Sequence, residues 1–305
     1  MRIQENIPLA SFTTFGIGGP ALYFIDVANE QDVHDALAFA REKSLPHIVL
    51  AGGSNVLIPD DGLRAVVLHI VEGSYTLQDG VLTADFGCNL LSLIRECGAH
   101  GFGGWEKLSG IPGTVGGAVR GNAGAFGSEI KDFVVSVSAL NSKSGETKDF
   151  ENNVCDFSYR RSIFKDNPDW IITRVALELH RVDSAESARL TEETIAERER
   201  RHLQNVRAAG SFFMNPIAPA NIVEMFETEK GVKSRENRVP AGWLIEKAGM
   251  KGASVGGAIA SFQHPNYIVN QGTATAHDVR NLAQMIKLEV YNQFGVELKE
   301  EAALL

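Results

Sequence analysis

Cysteine is scarce in this chain. Only Cys88, Cys97 and Cys155 occur in 305 residues, with no Cys-x-x-Cys pair. An odd count without metal-type spacing argues against a disulfide framework and a structural zinc, so no metal is expected. Long apolar runs are missing too: none approaches the ~18 residues of a membrane helix, and membrane insertion is not expected. Basic charge is in deficit. Lys and Arg total 29 against 38 Asp and Glu, a net charge of -9, which weighs against nucleic acid as the main partner. A small anionic ligand stays open, because it needs only a few local cations and backbone N–H groups. No repeat of solenoid length is visible. The first ten residues lack the apolar core of a secretory signal, so a cytoplasmic location is expected.

What is present is an ordinary soluble balance, 44% hydrophobic and 22% charged, with an excess of glycine, 30 residues in all. The length suggests two or three domains. Residues 21–27 read as a strand, 30–43 as a helix through Val33, Leu37 and Ala40, and 47–51 as a second strand ending in Ala51-Gly52-Gly53-Ser54-Asn55. This is a short β-α-β unit. A strand over 64–70 follows, then two short strands around the Asp79-Gly80 hairpin signal. Residues 89–99 carry Leu90, Leu93, Ile94 and Cys97 on one helical face. Strands are expected at 133–140 and 170–180, with a turn at Ser144-Gly145. A charged helix is expected over 185–206, its Glu and Arg run forming a solvated face. Further on, a helix is expected at 240–248 and strands near 253–261 and 266–270. A long helix over 276–294 has a Thr275/Asp278 capping signature, a stripe of Val279, Leu282, Ala283, Ile286 and Val290, and a Gly295 stop. A last strand is read at Val296–Leu298. The class is α+β with mixed sheets.

Two glycine-rich loops carry the chemistry. Gly52-Gly53-Ser54-Asn55 follows a strand; glycines let the backbone approach a ligand, and successive N–H groups form an anion-binding concavity. A tight turn closed by its own side chains is the other reading. The pattern is neither the G-x-G-x-x-G dinucleotide fingerprint nor a P-loop. The Phe15–Gly19 stretch precedes a strand and reads as structural. The second loop runs Ser109–Ala118 and on through Gly121–Gly127. So many glycines cost chain entropy, and the apolar Ile111, Val115, Val119 and Phe126 fit a free surface loop poorly. Contact with a flat or charged ligand is the favoured reading.

Taken in order, several segments resemble the UDP-N-acetylenolpyruvoylglucosamine reductase family: Ala51–Leu57, Gly110–Ala118, Asn122–Ala125, Phe157–Phe164, Gly210–Pro216, Ala241–Glu246 and His264–Asn270. They span nearly the whole chain. With Arg160 and Ser211 only 51 positions apart, the spacing looks like that of the shorter branch. The resemblance implies a two-part FAD-binding unit of the vanillyl-alcohol-oxidase (PCMH) type, with subdomains over 1–60 and 61–190, and a C-terminal α+β substrate domain over 191–305. It implies non-covalent FAD held by Gly52, Gly53, Ser54, Asn55, Gly113, Thr114, Gly116, Gly117, Asn122 and Gly124, with NADPH as hydride donor bound in turn with the substrate at one pocket. It gives Arg160, Ser211 and Glu301 the catalytic positions. Tyr159 and Asn215 would contact the UDP-sugar substrate.

The chemistry of an enol ether bearing a carboxylate explains these residue types. Reduction needs the charge growing toward the carboxylate to be stabilised and a proton donor at the carbon that becomes tetrahedral. An Arg fork suits the first need, and Ser211 the second. Glu301 would share the carboxylate, which as an acid requires a raised pKa. Two positions depart from the family pattern: Met214 stands where Lys is usual, and Ala303 where a basic residue is usual, which leaves Glu300 as an alternative to Glu301 by a register shift. An oxidase of the same fold, with flavin tethered through His47, Cys88 or Cys97, and a non-catalytic flavoprotein are the competing readings.

Overall fold

The computed structural model describes residues 2–201 and 206–305. The chain forms two compact units. The first holds residues 2–7, Ala21–Gly52 and Arg64–Arg200; the second holds Pro8–Pro20, Gly53–Leu63 and the chain from Arg201 on. The boundary thus falls inside the first glycine loop, between Gly52 and Gly53. Helix Ser184–Arg201 carries the charged segment, and residues 202–205 of the expected 185–206 helix lie outside the described residues.

The first unit contains two main sheets. One has four strands in the order Ile3–Pro8, Pro20–Val27, Leu63–Ile70, His47–Leu50, with the last two parallel and His47 opposite Val66. The helix Glu30–Glu42 makes the crossover; Asn29 caps it by accepting the Asp32 N–H at 3.0 Å. The other sheet is antiparallel, in the order Thr147–Glu151, Val134–Asn141, Trp170–Glu178, Val81–Asp85, Tyr75–Gln78. Its Asp79-Gly80 hairpin has positive φ at both residues, 48° and 88°, the primed turn that the Asp-Gly pair favours. Glu30 links helix to sheet: its carboxylate accepts from Thr147 at 2.8 Å and Thr173 at 3.1 Å. The helix Leu90–Ala99 buries Leu90, Leu93, Ile94 and Cys97 as its periodicity predicts.

The second unit is built around the helix Ala276–Phe294. Thr275 and Asp278 form the capping box, Gly295 closes the helix at φ 64°, and the expected stripe is buried. Asp60 adds a cap from far away in sequence, accepting the Ala276 N–H at 2.8 Å and the His277 N–H at 3.2 Å. The helices Ala220–Lys230 and Ala241–Lys247 and a small sheet, Ser254–Val255, Ala258–Ala260 and Ile268–Asn270, complete the unit. Phe15, Ile17 and Leu57 belong to this core, which is why the excursions Pro8–Pro20 and Gly53–Leu63 fold with the C-terminal third. The strand expected at Val296–Leu298 is not one. Those two side chains are buried, but the pairing strand is Ala303–Leu304, parallel to Val56–Leu57. The alternation there reports burial of an irregular segment, not a ladder.

Candidate active site

The first glycine loop is held differently on its two sides. Gly53 sits at φ +59°, and a Cβ there would lie 1.9 Å from the Phe12 carbonyl oxygen, so only glycine fits. The Gly53 carbonyl accepts the Thr14 N–H at 3.1 Å. Asn55 reaches the C-terminal segment: Nδ2 donates to the Glu301 carbonyl at 3.1 Å, and the Asn55 carbonyl accepts the Ala303 N–H at 2.9 Å. Asn55 therefore braces the C-terminal segment that carries Glu301. Ala303 pairs with Val56 through its main chain, a role that a basic side chain there would serve equally.

The second loop contains a helix, Val115–Arg120, that glycine content concealed. Its first N–H groups are consumed by protein. Val115 donates to the Cys88 carbonyl at 2.9 Å, Gly116 to the Phe86 carbonyl at 3.1 Å, and Gly117 to Thr114 Oγ1 at 3.2 Å. Gly116 is needed for packing, since a Cβ would lie 2.8 Å from that of Phe86. Gly113, at φ +115°, is a turn glycine, and a Cβ on Gly52 would stand 3.4 Å from its Cα. In the first unit the two loops thus meet backbone to backbone, with no side chain on either Gly52 or Gly113. Bare backbone of this kind suits a diphosphate-bearing cofactor such as FAD.

Asn122 turns inward. Fully buried, it sits at φ 42°. Its Nδ2 donates to Glu129 Oε2 at 3.1 Å and to the Ser158 carbonyl at 2.9 Å, while Oδ1 accepts the Lys131 N–H at 3.3 Å. Its side chain therefore organises the Arg160 turn rather than lining a cofactor. Burial pushes the Glu129 carboxyl up, but its bonds to Lys131 and Asn122 outweigh this and hold it below the usual range. The sequence reading passed over Glu129, which carries no motif.

Arg160 occupies a two-residue turn. Ser158 and Arg161 exchange both main-chain bonds, at 3.2 and 3.0 Å, and Arg160 has φ 56°. Turns place glycine at such a position, and a long side chain there is strained. The strain is balanced by its contacts: Nη2 donates to the Gly124 carbonyl at 2.9 Å, the Tyr159 ring lies 5.2 Å from the guanidinium, and Lys165 Nζ donates to the Arg160 carbonyl at 2.9 Å. Gly124 lets this happen, since a Cβ would stand 3.3 Å from Arg160 Nη1.

In the second unit, the two residues after Ser211 meet the segment that carries Glu301. The Glu301 N–H donates to the Phe212 carbonyl at 2.8 Å, and Phe213 bridges Glu300 in antiparallel fashion. Glu300 points to Lys287, whose Nζ donates to its two oxygens at 3.0 and 3.2 Å. Asn215 Oδ1 accepts the Ala241 N–H at 3.0 Å and so caps the helix Ala241–Lys247. Met214 donates its N–H to the Lys299 carbonyl at 2.9 Å. Burial lowers the His264 imidazole below its ordinary value. Cys88 and Cys97 are core residues, 3% and 0% exposed, and burial raises both thiols. Neither is placed to tether a flavin. Among the described residues no cluster of three or more His, Cys, Asp or Glu side chains could hold a metal, and no helix is long and apolar enough to cross a membrane.

Comparison with known proteins agrees with both units. Residues 21–151 match an FAD binding domain. Residues 201–305 match the C-terminal domain of UDP-N-acetylenolpyruvoylglucosamine reductase. The reductase of Solibacter usitatus is 34% identical, covering 99% of this chain and 96% of that protein. That of Pseudomonas aeruginosa is 36% identical over 100% of this chain and 99% of its own. The crystal structure of the Thermus caldophilus enzyme superposes with a TM-score of 0.78 at 31% identity, covering 100% and 99% of the two chains. These matches bear out the α+β fold with its FAD-binding unit, and the chain belongs to the UDP-N-acetylenolpyruvoylglucosamine reductase family.

Proposed function

We infer that Arg160, Ser211 and Glu301 are the residues with which this FAD-dependent oxidoreductase reduces UDP-N-acetylglucosamine enolpyruvate to UDP-N-acetylmuramate, using NADPH, for peptidoglycan precursor synthesis. The observation that supports the assignment best is the 2.8 Å bond from the Glu301 N–H to the Phe212 carbonyl, which sets Glu301 beside the residue that follows Ser211. FAD, when bound, takes reducing equivalents from NADPH and passes them to the substrate. Gly52, Gly53, Ser54 and Gly113 are the residues that would hold its diphosphate, through backbone and a hydroxyl. Thr114, Gly116 and Gly117 shape the second loop from behind, and Gly124 supports Arg160.

The chain's own work is charge and proton handling. Arg160 takes the substrate carboxylate with its guanidinium fork, its strained turn holding the group in place before substrate arrives. The Glu301 carboxyl is the second group proposed at the substrate carboxylate. Ser211 delivers the proton to the carbon that becomes tetrahedral; an enolate-like carbon is basic enough to take it. Tyr159 and Asn215 are the proposed contacts to the sugar nucleotide, with Asn215 also fixing the helix behind it. A nucleotide-sugar substrate and NADPH are both cytoplasmic metabolites, which supports a cytoplasmic enzyme.

The test is anaerobic. NADPH should bleach the bound flavin, and the enolpyruvyl substrate should then restore its colour. In Ser211→Ala bleaching should survive while recolouring slows by roughly 10²–10⁴-fold, the range for loss of a general acid. Recolouring at the parent rate would remove Ser211 from the reaction.

A further inference from the structure

We propose that Asn266 is a positioning residue for the proton donor; this rests on the Ser211 assignment above. Asn266 lies between the strands Ala258–Ala260 and Ile268–Asn270 and is 3% exposed. Three of its polar atoms grip the two residues that follow Ser211. Its main-chain carbonyl accepts the Phe212 N–H at 2.7 Å. Its Oδ1 accepts the Phe213 N–H at 3.0 Å, and its Nδ2 donates to the Phe213 carbonyl at 2.9 Å.

The grip falls on the residues directly after Ser211, which gives it mechanistic weight. Upstream of Ser211, Gly210 sits at φ +71° with nothing within 4 Å of where a Cβ would stand, and the hold on that side comes further back, where the Ala208 carbonyl accepts the Thr14 hydroxyl at 2.7 Å. Downstream, the Phe212 and Phe213 rings are buried, 1% exposed each, and packed edge to face at 5.1 Å. Rings fix depth; they do not fix rotation of the strand about its axis. The paired donor and acceptor of the Asn266 amide do, because each must meet its own partner on Phe213. The Phe212 carbonyl in turn receives the Glu301 N–H, so the same clamp sets the spacing between Ser211 and Glu301. An aspartate of the same shape would keep the acceptor and lose the donor, setting an oxygen against the Phe213 carbonyl.

The experiment uses the FAD-loaded full chain and the two half-reactions, comparing Asn266→Asp, Asn266→Ser and Ser211→Ala. In both Asn266 variants flavin reduction by NADPH should stay within about twofold, while reoxidation by the enolpyruvyl substrate falls on the order of 10²-fold, the cost of misplacing a reacting group by about 1 Å. The solvent deuterium isotope effect on reoxidation should grow, because proton delivery has become the slower event. The proposal is overturned if both half-reactions slow by the same factor, if reoxidation and its isotope effect match the parent, or if both variants lose FAD. Each of these would make Asn266 a support for the fold and nothing more specific. Reoxidation that is slow in Ser211→Ala yet normal in the Asn266 variants would sink this inference alone. Normal reoxidation in Ser211→Ala would sink the proton-donor assignment on which it stands.

Discussion

The main-chain N–H of Glu301 donates to the carbonyl of Phe212 at 2.8 Å, which sets Glu301 beside the residue that follows Ser211. Its neighbour Glu300 is turned to Lys287 on the long helix. Glu300 therefore spends its carboxylate on an ion pair, which leaves Glu301 as the carboxyl proposed for the reaction. The outcome expected is a clean separation. Glu301→Gln should slow the substrate half-reaction by at least about tenfold, through loss of the carboxyl proposed at the transition state. Glu300→Gln should leave turnover unchanged and cost at most about 1 kcal/mol of stability, as for a partly exposed ion pair. Steady-state turnover and thermal melting of both variants decide it; a larger kinetic effect in Glu300→Gln would exchange the roles.

The Arg160 turn invites a test by a single methyl group. Alanine at position 124 would bring its Cβ to 2.9 Å from the Ser128 carbonyl and from Glu129 Cγ, and to 3.3 Å from Arg160 Nη1. The guanidinium would have to leave the Gly124 carbonyl. Gly124→Ala should therefore raise KM for the enolpyruvyl substrate and lower kcat/KM roughly tenfold to a hundredfold, the scale of one charged hydrogen bond. Flavin content and the NADPH half-reaction should hold. Equal loss in both half-reactions would mean that the hairpin itself had failed.

Asp60 caps a helix more than two hundred residues away, accepting from Ala276 and His277. The Thr275/Asp278 box already satisfies part of that terminus, so Asp60→Ala should cost about 1 kcal/mol, a shift of roughly 2–4 °C in Tm for a unit of this size. Asp60→Asn should recover most of it. Melting curves read both, and an unchanged Tm in Asp60→Ala would show that the local box suffices.

Local chemistry made much of this fold legible. The Asp79-Gly80 turn, the Thr275/Asp278 box, the Gly295 stop and the stripe Val279–Val290 each depend on residues close in sequence. What failed depends on distant partners. Nothing in Val296–Leu298 reveals that the ladder forms later, at Ala303, because the partner Val56 is some 250 residues upstream. The helix Val115–Arg120 was hidden by Gly116 and Gly117, poor helix formers; it exists because Gly116 can lie against Phe86. Arg160, Ser211 and Glu301 entered through resemblance, and the structure sets Glu301 beside Phe212, the residue after Ser211. Asn55 and Asn122 entered as cofactor ligands for the same reason; the buried Asn122 spends its side chain on the Arg160 turn, and the exposed Asn55 also braces the Glu301 carbonyl. An asparagine's partner, unlike its presence, cannot be read from sequence.

Stability should fall in mild acid, and two histidines set the sign. Burial lowers His264 below the ordinary 6.5 and outweighs the opposing bond within its own main chain. Burial likewise lowers His47, helped by Arg41 and opposed by Asp169. The fold therefore keeps both rings neutral at a pH where the unfolded chain has begun to take up protons. Above the unfolded value neither state binds the proton and nothing is gained or lost. As pH drops through 6.5 the unfolded state binds more protons, so stability declines until the folded values are reached. His264→Asn removes one titrating group and should flatten the fall in Tm between about pH 7.5 and 5.5. Adding His47→Gln should flatten it further. Parallel Tm–pH curves for parent and double variant would show that other groups, and not these two rings, carry the acid sensitivity.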